Sequence, residues 1–215
     1  MSHLGELDYW EDIYKKSLSI HSDGSTDTNE WFVREGNRLI EKLLEVYPDE
    51  HRQKIKILDV GCGSGEFLCK LRDRGFTNLY GFDYSDNAIV LAKKNAGKSK
   101  ISIKFITLNV ENACEVMSTS GPFDVVFDKG TFDIFFCTDR VPTYTQNILP
   151  LISKNGRYFI VSCNATIDEL IHSFCTLSSV KLELEHKFQP LQTFVFGNKK
   201  GHSTTSAMFK LEIVN

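Results

Sequence analysis

The sequence contains no long apolar run and no segment typical of a secretion signal. It begins MSHLGELDYWEDIY, where no basic region precedes an apolar stretch, and no part of it approaches the roughly 18 consecutive apolar residues that a membrane-spanning helix requires. We therefore expect a cytoplasmic protein that does not associate with membranes.

Cysteine is present, but not in a pattern that binds metal or forms a disulfide framework. The sequence has no CxxC pair and no histidine at the spacing of a zinc finger. We expect no metal site, and we expect the thiols to be reduced and mostly buried as small apolar groups. The six cysteines are Cys62, Cys69, Cys114, Cys137, Cys163 and Cys175.

An excess of positive charge is also missing. The formal net charge is −3, so the chain has no global basic field to attract a phosphate backbone, and nucleic acid is an unlikely partner. With 215 residues, of which 41% are hydrophobic, the chain can build one full-sized core but not two. We expect one domain over residues 1–215 that acts as a monomer.

The sequence has instead a regular alternation of short apolar segments and amphipathic helices. This pattern begins at Lys54 and predicts an α/β fold, a mostly parallel sheet with helices on both faces. The last two strands follow one another without a clear helix, so we expect an antiparallel last strand. The predicted strands are KIKILDV, LYGFD, IKFITL, FDVVFD, RYFIVS, LELEHKF and TSAMFKLEIV. The predicted helices between them span residues 66–75, 85–96, 110–117, 141–153 and 167–177.

Residues 1–50 differ from the core of residues 54–215 because only helices are predicted there. The segments at residues 7–18 and 32–47 each place apolar residues on one helical stripe, and Pro48 ends the second. The polar stretch HSDGSTDTNE at residues 21–30 is typical of a loop. We expect the two helices to form a lid over the core.

The most informative segment is ILDVGCGSGEF, residues 57–67, where three glycines separate the first predicted strand from the first helix of the core. Open α/β sheets bind nucleotide-like ligands at this position. Glycine permits a positive φ and lets a ligand approach bare backbone, whereas a simple tight turn would need only one glycine. Gly61, Gly63 and Gly65 therefore predict a ligand-binding loop.

The spacing of this loop distinguishes two classes of ligand. A dinucleotide fingerprint is GxGxxG/A, but the sixth position here is Glu66, and Asp59 lies two residues before the first glycine. Carboxylates at these places would repel a pyrophosphate and would suit a ligand with an amino group and a sulfonium charge. The loop resembles motif I of the class I S-adenosylmethionine-dependent methyltransferases. That resemblance implies a single Rossmann-like seven-strand domain with S-adenosylmethionine as its cofactor.

Two further positions agree with this cofactor. Asp83 ends the second predicted strand, at about the 20-residue spacing where an acid contacts a ribose, and its alternative role is a helix cap. A carboxylate there can accept hydrogen bonds from both ribose hydroxyls. Asn109 follows the third strand, where such methyltransferases usually carry an aspartate for the adenine amino group, and its amide oxygen can accept the same bond. We include the neighbouring Tyr84 and Val110 in the predicted cofactor site.

The fourth predicted strand leads into a motif that indicates the acceptor. FDVVFDKGTFD, residues 123–133, lacks the Asn/Asp-Pro-Pro-Tyr of DNA and amide-nitrogen methyltransferases and the Pro-Cys of RNA cytosine enzymes. DKGTFD is similar to the motif of the protein-lysine methyltransferases that act on translation elongation factor 1-alpha. One small cytosolic group of these enzymes resembles the chain over roughly residues 8–212. The shared features are DYWEDIY, EWFVREGNRLI, the glycine loop, FDYSDNAI, DKGTFD, SCNATIDEL and FVFGNKKGHSTTSAMFK.

This resemblance implies transfer of methyl groups from S-adenosylmethionine to a lysine ε-amine of elongation factor 1-alpha. The lysine must be neutral to attack, and burial in an apolar, aromatic slot beside the sulfonium would lower its pKa. Asp128 would contact the cofactor and orient the amine, through its carboxylate or its strand-end carbonyl. Ordinary core packing is the alternative role of the tryptophans. We predict the slot at Trp31, Phe32, Asp128 and Phe132, with Tyr9 and Trp10 on the lid.

Other interpretations share part of this pattern. A methyltransferase acting on another protein, on RNA or on a small molecule would have the same cofactor half, and a non-catalytic binding module could keep the fold. The lysine clusters lack the interleaved aromatic residues of a base-stacking groove, and Glu66 disfavours a nicotinamide oxidoreductase. Cys163, in VSCNAT, has no companion Pro-Cys, so we interpret it as a core thiol.

Overall fold

The computed structural model describes residues 5–21, 30–174, 181–196 and 199–212. The strands in these ranges are β1 (Lys56–Val60), β2 (Asn78–Asp83), β3 (Lys104–Thr107), β4 (Phe123–Lys129), β5 (Ile152–Ser162), β6 (Lys181–Lys187), β7 (Thr193–Phe196), β8 (Lys199–His202) and β9 (Thr205–Glu212). The helices are α1 (Leu7–His21), α2 (Val33–Val46), α3 (Asp49–Arg52), α4 (Glu66–Asp73), α5 (Asp86–Ala96), α6 (Ala113–Met117), α7 (Thr131–Cys137), α8 (Val141–Ile148) and α9 (Ile167–Phe174). None of the helices in the described ranges has the length and apolar character to span a bilayer.

Seven strands form one sheet in the order β3-β2-β1-β4-β5-β9-β6, and β7 pairs with β8 in a separate ribbon. The pairs of β1 with β2 and with β4 are parallel, as are those of β2 with β3 and of β4 with β5. The chain runs outward from β1 to β3 and then returns to β4 on the other side of β1. Ligands bind at such a reversal, outside the carboxyl ends of the strands. The ends of β1, β2 and β4 therefore define the candidate site.

The far edge of the sheet is antiparallel. β9 runs antiparallel to both of its neighbours, β5 and β6. The prediction of a mostly parallel α/β sheet with an antiparallel last strand is thus confirmed.

Helices cover both faces of the sheet, because alternate strand residues point to opposite sides. On one face, Leu58 and Val60 of β1 share a core with α6, α7, α8 and α9. On the other face, Ile57 of β1 packs with α2, α4 and α5. Each large apolar side chain that is fully buried in these cores contributes about 1.5–3 kcal/mol to folding.

All seven predicted strands are present, and the differences concern elements that the pattern obscured. β5 begins at Ile152 rather than Arg157, and neither α3 nor the β7–β8 ribbon was predicted. The sequence analysis missed α7 because TFDIFFC is mostly apolar and shows no amphipathic stripe. The predicted helix at 167–177 is described as far as Phe174, so Cys175 lies outside the described residues, as does most of the predicted loop at 21–30.

The first helix of the predicted lid lies against α5. Tyr14 of α1 packs with Ala88 and Leu91 of α5. The Glu11 carboxylate accepts a hydrogen bond from the backbone N–H of Asp86 at 2.6 Å, at the N-terminus of α5, where negative charge is favourable. These contacts attach α1 to the helix that follows the end of β2.

Candidate active site

The glycine loop joins β1 to α4 with backbone angles that side-chain-bearing residues rarely adopt. Gly61, Gly63 and Gly65 have φ values of +63°, +50° and +72°. A Cβ on Gly61 would collide with the Thr131 hydroxyl, and a Cβ on Gly63 would lie 2.6 Å from the Tyr14 hydroxyl. The start of α7 and the helix α1 therefore pack directly against the backbone of the loop that follows β1.

Asp83 ends β2 directly beside this loop, and it is only 5% exposed. Its Oδ2 accepts a hydrogen bond from the Gly63 N–H at 2.9 Å, and its Oδ1 accepts one from the Ser85 N–H at 3.0 Å. Burial raises the pKa of Asp83 to about 6, although both hydrogen bonds oppose this. Each carboxylate oxygen can accept a second bond, so this group suits a ligand that carries two neighbouring hydroxyls.

Tyr84 and Ser85 turn the chain from β2 into α5. The Ser85 Oγ caps the helix by accepting a hydrogen bond from the Ala88 N–H at 3.1 Å. Because Ser85 performs this function, the alternative role of Asp83 as the cap of α5 is not needed. The half-buried Tyr84 lies next to Asp83, and burial, followed by the charge of Asp83, raises its pKa.

Asn109 lies after β3 and caps a short 3-10 helix at Val110–Asn112. Its Oδ1 accepts a hydrogen bond from the Glu111 N–H at 3.1 Å, which leaves one lone pair for a ligand donor. Val110 behind it is buried. The Leu108 N–H donates to the Asp83 carbonyl at 2.8 Å, so the ends of β2 and β3 are held together. The structure thus brings Asn109 to the same sheet edge as Asp83.

Asp59 was expected to attract the amino group of a ligand, but it is paired within the protein. This residue of β1 is fully buried, and the Lys129 Nζ lies 3.0 Å from both of its oxygens. Burial alone would lower the pKa of Lys129, but Asp59 and then Glu30 raise it above its usual value. The lysine therefore compensates the charge of Asp59, and contact of Asp59 with a cofactor stays a prediction.

Asp128 is the last residue but one of β4, and its carboxylate lies inside the core. The Phe132 N–H lies 3.1 and 3.0 Å from its two oxygens, and the Tyr144 hydroxyl donates to Oδ2 at 2.6 Å. The Tyr144 hydroxyl also lies 2.8 Å from that of Tyr158. Burial raises the pKa of Asp128 to about 7 against these hydrogen bonds. The carboxylate therefore has its own donors inside the protein, and a role of Asp128 in orienting an amine, through its carboxylate or its carbonyl, stays a prediction.

Phe132 also lies inside the protein. It is fully buried, with its ring centroid 5.3 Å from that of Tyr144 and 5.4 Å from that of Phe174. This ring anchors α7 to the sheet, and the structure does not bring it to an open slot. Its contact with an acceptor stays a prediction.

Trp31 and Phe32 meet the turn that follows Asp128. Phe32 has a φ of +56°, which is uncommon for a residue other than glycine, and its ring covers Gly130 so closely that a Cβ there would lie 3.0 Å from it. Trp31 is 42% exposed, and its ring centroid lies 5.3 Å from that of Trp10 on α1. Tyr9 contacts the other side of Trp10 at 5.4 Å. The EWF segment, the DKGTFD motif and α1 therefore come together, as a slot with an aromatic lid requires.

Comparison with known proteins identifies the family. A family model described as "Methyltransferase domain" matches residues 51–206. The EEF1A lysine methyltransferase 2 of Danio rerio is 32% identical over 97% of this chain and 88% of its own length, and that of Homo sapiens is 30% identical over 97% and 87%. The chain belongs to this methyltransferase family. The resemblance inferred from the motifs is thereby confirmed.

Fungal relatives and solved structures agree with this placement. The protein-lysine N-methyltransferase efm4 of Schizosaccharomyces pombe is 28% identical over 98% of this chain and 95% of its own. A TehB-like SAM-dependent methyltransferase from Corynebacterium glutamicum superposes with a TM-score of 0.62 at 20% identity, covering 94% of this chain and 97% of that one. The magnesium protoporphyrin IX methyltransferase of Synechocystis, with bound SAM, gives 0.61 at 12% identity over 83% and 77%. These likenesses confirm the Rossmann-like methyltransferase fold.

In this methyltransferase, Asp133 connects the DKGTFD and SCNAT motifs. Its carboxylate accepts hydrogen bonds from the Ser162 hydroxyl and from the backbone N–H groups of Cys163, at 2.9 Å, and Asn164, at 3.3 Å. This buried acid fixes the chain after β5 against α7. The shared motifs thus form one structural unit at the ends of β4 and β5.

The prediction that Cys163 is a core thiol is wrong, because the residue is exposed at the end of β5. Its Sγ nevertheless lies 3.2 Å from an oxygen of the buried Asp133, and partial burial of the thiol, followed by the charge of Asp133, raises its pKa to about 12, so it is a poor nucleophile. The broader expectation of mostly buried cysteines is also wrong. Of the five cysteines in the described ranges, only Cys62 is buried.

Sequence reasoning missed two residues that shape the site. Lys129 ends β4, and strand alternation puts its side chain on the same sheet face as Asp59 only once β1 and β4 are known to be neighbours. Glu11 gave no signal, because its partner Asp86 lies 75 residues away and no periodicity links them.

Proposed function

We propose that this protein transfers methyl groups from S-adenosylmethionine to the ε-amine of a lysine on translation elongation factor 1-alpha. The methyltransferase family supports the reaction type, and the curated relatives, which are named as EEF1A lysine methyltransferases, support the acceptor. We propose that it acts in the cytoplasm as a monomer. Residues 1–215 would form one domain, in which residues 1–50 are the lid of the core at residues 54–215.

The observation that carries the cofactor assignment is the buried carboxylate of Asp83 beside the glycine loop. Its two oxygens each hold one backbone N–H and each retain a lone pair, so they match the two hydroxyls of a ribose. Gly61, Gly63 and Gly65 leave bare backbone for the amino-acid end of the cofactor. When bound, S-adenosylmethionine supplies a methyl group on a positively charged sulfur, which is an excellent leaving group.

The adenine would lie between the ends of β2 and β3. Asn109 would accept a hydrogen bond from the adenine amino group through the remaining lone pair of Oδ1, and Val110 and Tyr84 would provide contact surface. We retain Asp59 as an indirect contributor, because its ion pair with Lys129 holds the end of β1 against the end of β4. All of these groups lie at the reversal of strand order.

The acceptor lysine would enter past Trp31 and Phe32. These rings exclude water from the turn at Gly130, and an apolar environment beside a sulfonium lowers the pKa of an amine so that it can lose its proton. Holding the amine at near-attack distance can contribute about 7–11 kcal/mol to lowering the barrier. The strand-end carbonyl of Asp128 would orient the amine, while Phe132 fixes α7 beneath the slot. Tyr9 and Trp10 would close over it.

The test is mass spectrometry of purified elongation factor 1-alpha after incubation with this protein and S-adenosylmethionine. We expect added methyl groups on a single lysine, and we expect far fewer with the Asp83→Ala variant at a cofactor concentration that does not saturate it. Labelled cofactor in a cell lysate, followed by protease or ribonuclease digestion, identifies the acceptor class independently. Label that resists protease but is released by ribonuclease would contradict the proposal.

A further inference from the structure

Five charged side chains gather on the face of the sheet beneath the glycine loop. Lys129 lies between Asp59 and Glu30, and its Nζ also lies 4.1 Å from the ring centroid of Phe67. Glu66 and Lys70 on α4 complete the set, since both act electrostatically on Glu30. The group thus contains three carboxylates and two cations.

The two cations are each closer to another acid than to Glu30. Lys129 binds Asp59 at 3.0 Å, and Lys70 binds Glu66 at 2.9 Å. Glu30 lies 4.0 Å from Lys129, and it accepts a hydrogen bond from the Ser64 hydroxyl at 3.2 Å. Among the residues that the structure describes, Glu30 is therefore the acid without a cation of its own.

This excess acid is buried, which makes it costly in the absence of a ligand. The Glu30 side chain is 8% exposed. Burial raises its pKa to about 7, and the nearby Lys129 offsets only part of that effect. A buried carboxylate requires a compensating charge or hydrogen bonds, and one shared lysine supplies less than two acids need.

We propose that Glu30 is the counter-ion for a primary ammonium group that a ligand brings into the site. Its position fits this role, because it directly precedes Trp31 of the slot and contacts Ser64 within the glycine loop. The inference rests on the proposed function, under which two ligands carry such a group: the cofactor, at its amino-acid end, and the acceptor lysine. The cofactor fits better, because the lysine must lose its proton to attack.

The test compares Glu30→Gln with Glu35→Gln. Glutamine keeps the hydrogen bond to Ser64 and removes only the charge, and it leaves Lys129 with a single partner acid, so the fold is retained. Glu35, in the first turn of α2, loses the same charge but bonds to Thr204 at 3.1 Å and lies outside the cluster. Binding is measured by calorimetry with S-adenosylhomocysteine and with its analogue that lacks the amino group. The KM for elongation factor 1-alpha is measured at saturating cofactor.

If the cofactor supplies the ammonium group, Glu30→Gln weakens binding of S-adenosylhomocysteine by roughly tenfold to a hundredfold and leaves binding of the desamino analogue unchanged. If the acceptor lysine supplies the ammonium group, binding of S-adenosylhomocysteine and of its desamino analogue is unchanged, and the KM for elongation factor 1-alpha rises by a similar factor. Either result supports the proposal. An effect matched by Glu35→Gln, an equal loss for both analogues, or no change at all overturns it. If the wild-type protein binds S-adenosylhomocysteine but leaves elongation factor 1-alpha unmodified, only the proposed acceptor is refuted. The effect of Glu30→Gln on binding of S-adenosylhomocysteine can still be measured by calorimetry.

Discussion

Two buried aspartates lie near the carboxyl ends of the strands on either side of β1, and their surroundings differ. Asp83 at the end of β2 receives one backbone N–H on each oxygen, from the glycine loop and from the turn into α5. Asp128 near the end of β4 receives the Phe132 N–H and the Tyr144 hydroxyl, and the Tyr158 hydroxyl lies behind Tyr144. The first carboxylate lies among loops at the sheet edge, and the second lies among core side chains.

This difference separates a ligand-binding acid from one that positions the backbone. Within the described residues, Asp83 hydrogen-bonds only to loop backbone, and each of its oxygens keeps a lone pair for a ligand. Asp128 accepts the Phe132 N–H in the first turn of α7 and so holds the turn at Gly130, which the Phe32 ring covers. Loss of the first should therefore affect cofactor affinity, and loss of the second should affect folding and turnover.

The largest effect is expected for Asp128→Ala. This change leaves the Phe132 N–H and the Tyr144 hydroxyl without their buried acceptor, so the free energy of unfolding should fall by about 3 kcal/mol. Turnover should be abolished because the turn at Gly130 moves, whereas the affinity for S-adenosylmethionine should stay within about twofold of wild type. Urea unfolding, methylation rate and calorimetry measure the three quantities.

Asp124→Ala is the matched control, because Asp124 lies at the other end of β4 and bonds to the Lys56 N–H and the Ser153 hydroxyl. It should retain turnover. Full activity and wild-type stability of Asp128→Ala would remove the assigned role from Asp128.

The next effect is expected for Asp83→Ala, which removes the proposed ribose acceptor. Affinity for S-adenosylmethionine should fall by about 30- to 150-fold, corresponding to the ~2–3 kcal/mol of a charged hydrogen-bonding group. Stability should also fall, because the N–H groups of Gly63 and Ser85 lose their buried acceptor, so affinity is compared under conditions where both proteins are folded. Calorimetry is the measurement, with Asp86→Ala as the control, since the exposed Asp86 bonds only to the Thr107 hydroxyl through its side chain within the described residues. Equal affinities for the Asp83 variant and wild type would show that the ribose lies elsewhere.

The pH dependence of stability should report Asp128. Its pKa is about 7 in the folded protein and ~3.9 in an unfolded chain, because burial disfavours the charged form. Protonated Asp128 therefore contributes stability that is complete below pH ~4 and is lost as the pH rises through about 7. Between pH 5 and 8, roughly this window, the wild-type melting temperature should fall by a few degrees relative to Asp128→Asn.

The Asp128→Asn variant removes the titration of residue 128 and can keep its hydrogen bonds. Its amide oxygen can accept from the Phe132 N–H, and its amide nitrogen can donate to Tyr144, whose hydroxyl then donates to Tyr158. Asp133 and Lys129, which also act on the pKa of Asp128, are present in both proteins. Melting curves that shift in parallel over the whole range would place the titration on another group.

The sequence could indicate that the proposed cofactor residues lie close together, but not that the proposed acceptor residues do, for a physical reason. The glycine loop, Asp83 and Asn109 each follow a strand, and the rule that parallel strands end at one edge is enough to bring them together. Trp31 and Phe32 reach the same place only through long-range packing, which the family resemblance supplied and periodicity could not. The fold itself was predictable because alternating strands and helices leave few ways to bury both sheet faces.

The contacts within charged groups were the least predictable. Asp59 has the position of a ligand-binding acid, and its pairing with Lys129 depends on β1 and β4 being neighbours, which the sequence order does not state. Glu30 is the last residue of the polar stretch at residues 21–30, and no hydrophobic pattern marks it as buried. The burial of Phe132 was hidden because α7 has no amphipathic stripe. The burial of Asp128 was hidden because its partners, Phe132 and Tyr144, belong to α7 and α8.

The smallest effect is expected at Asn109, the counterpart of Asp83 at the end of β3. Asn109→Asp keeps an oxygen that accepts the Glu111 N–H and a second that can accept the adenine amino group, so the affinity for S-adenosylmethionine should stay within about threefold of wild type. Asn109→Ala removes the cap and the acceptor and should weaken binding about fivefold, equivalent to ~1 kcal/mol. A third variant, Asn109→Ser, can keep the cap but cannot reach the adenine. Calorimetry of the alanine and serine variants therefore separates the contribution of the cap from that of the adenine contact. Affinity that falls as far in the serine variant as in the alanine variant supports the adenine contact, whereas full recovery by serine assigns Asn109 to capping alone.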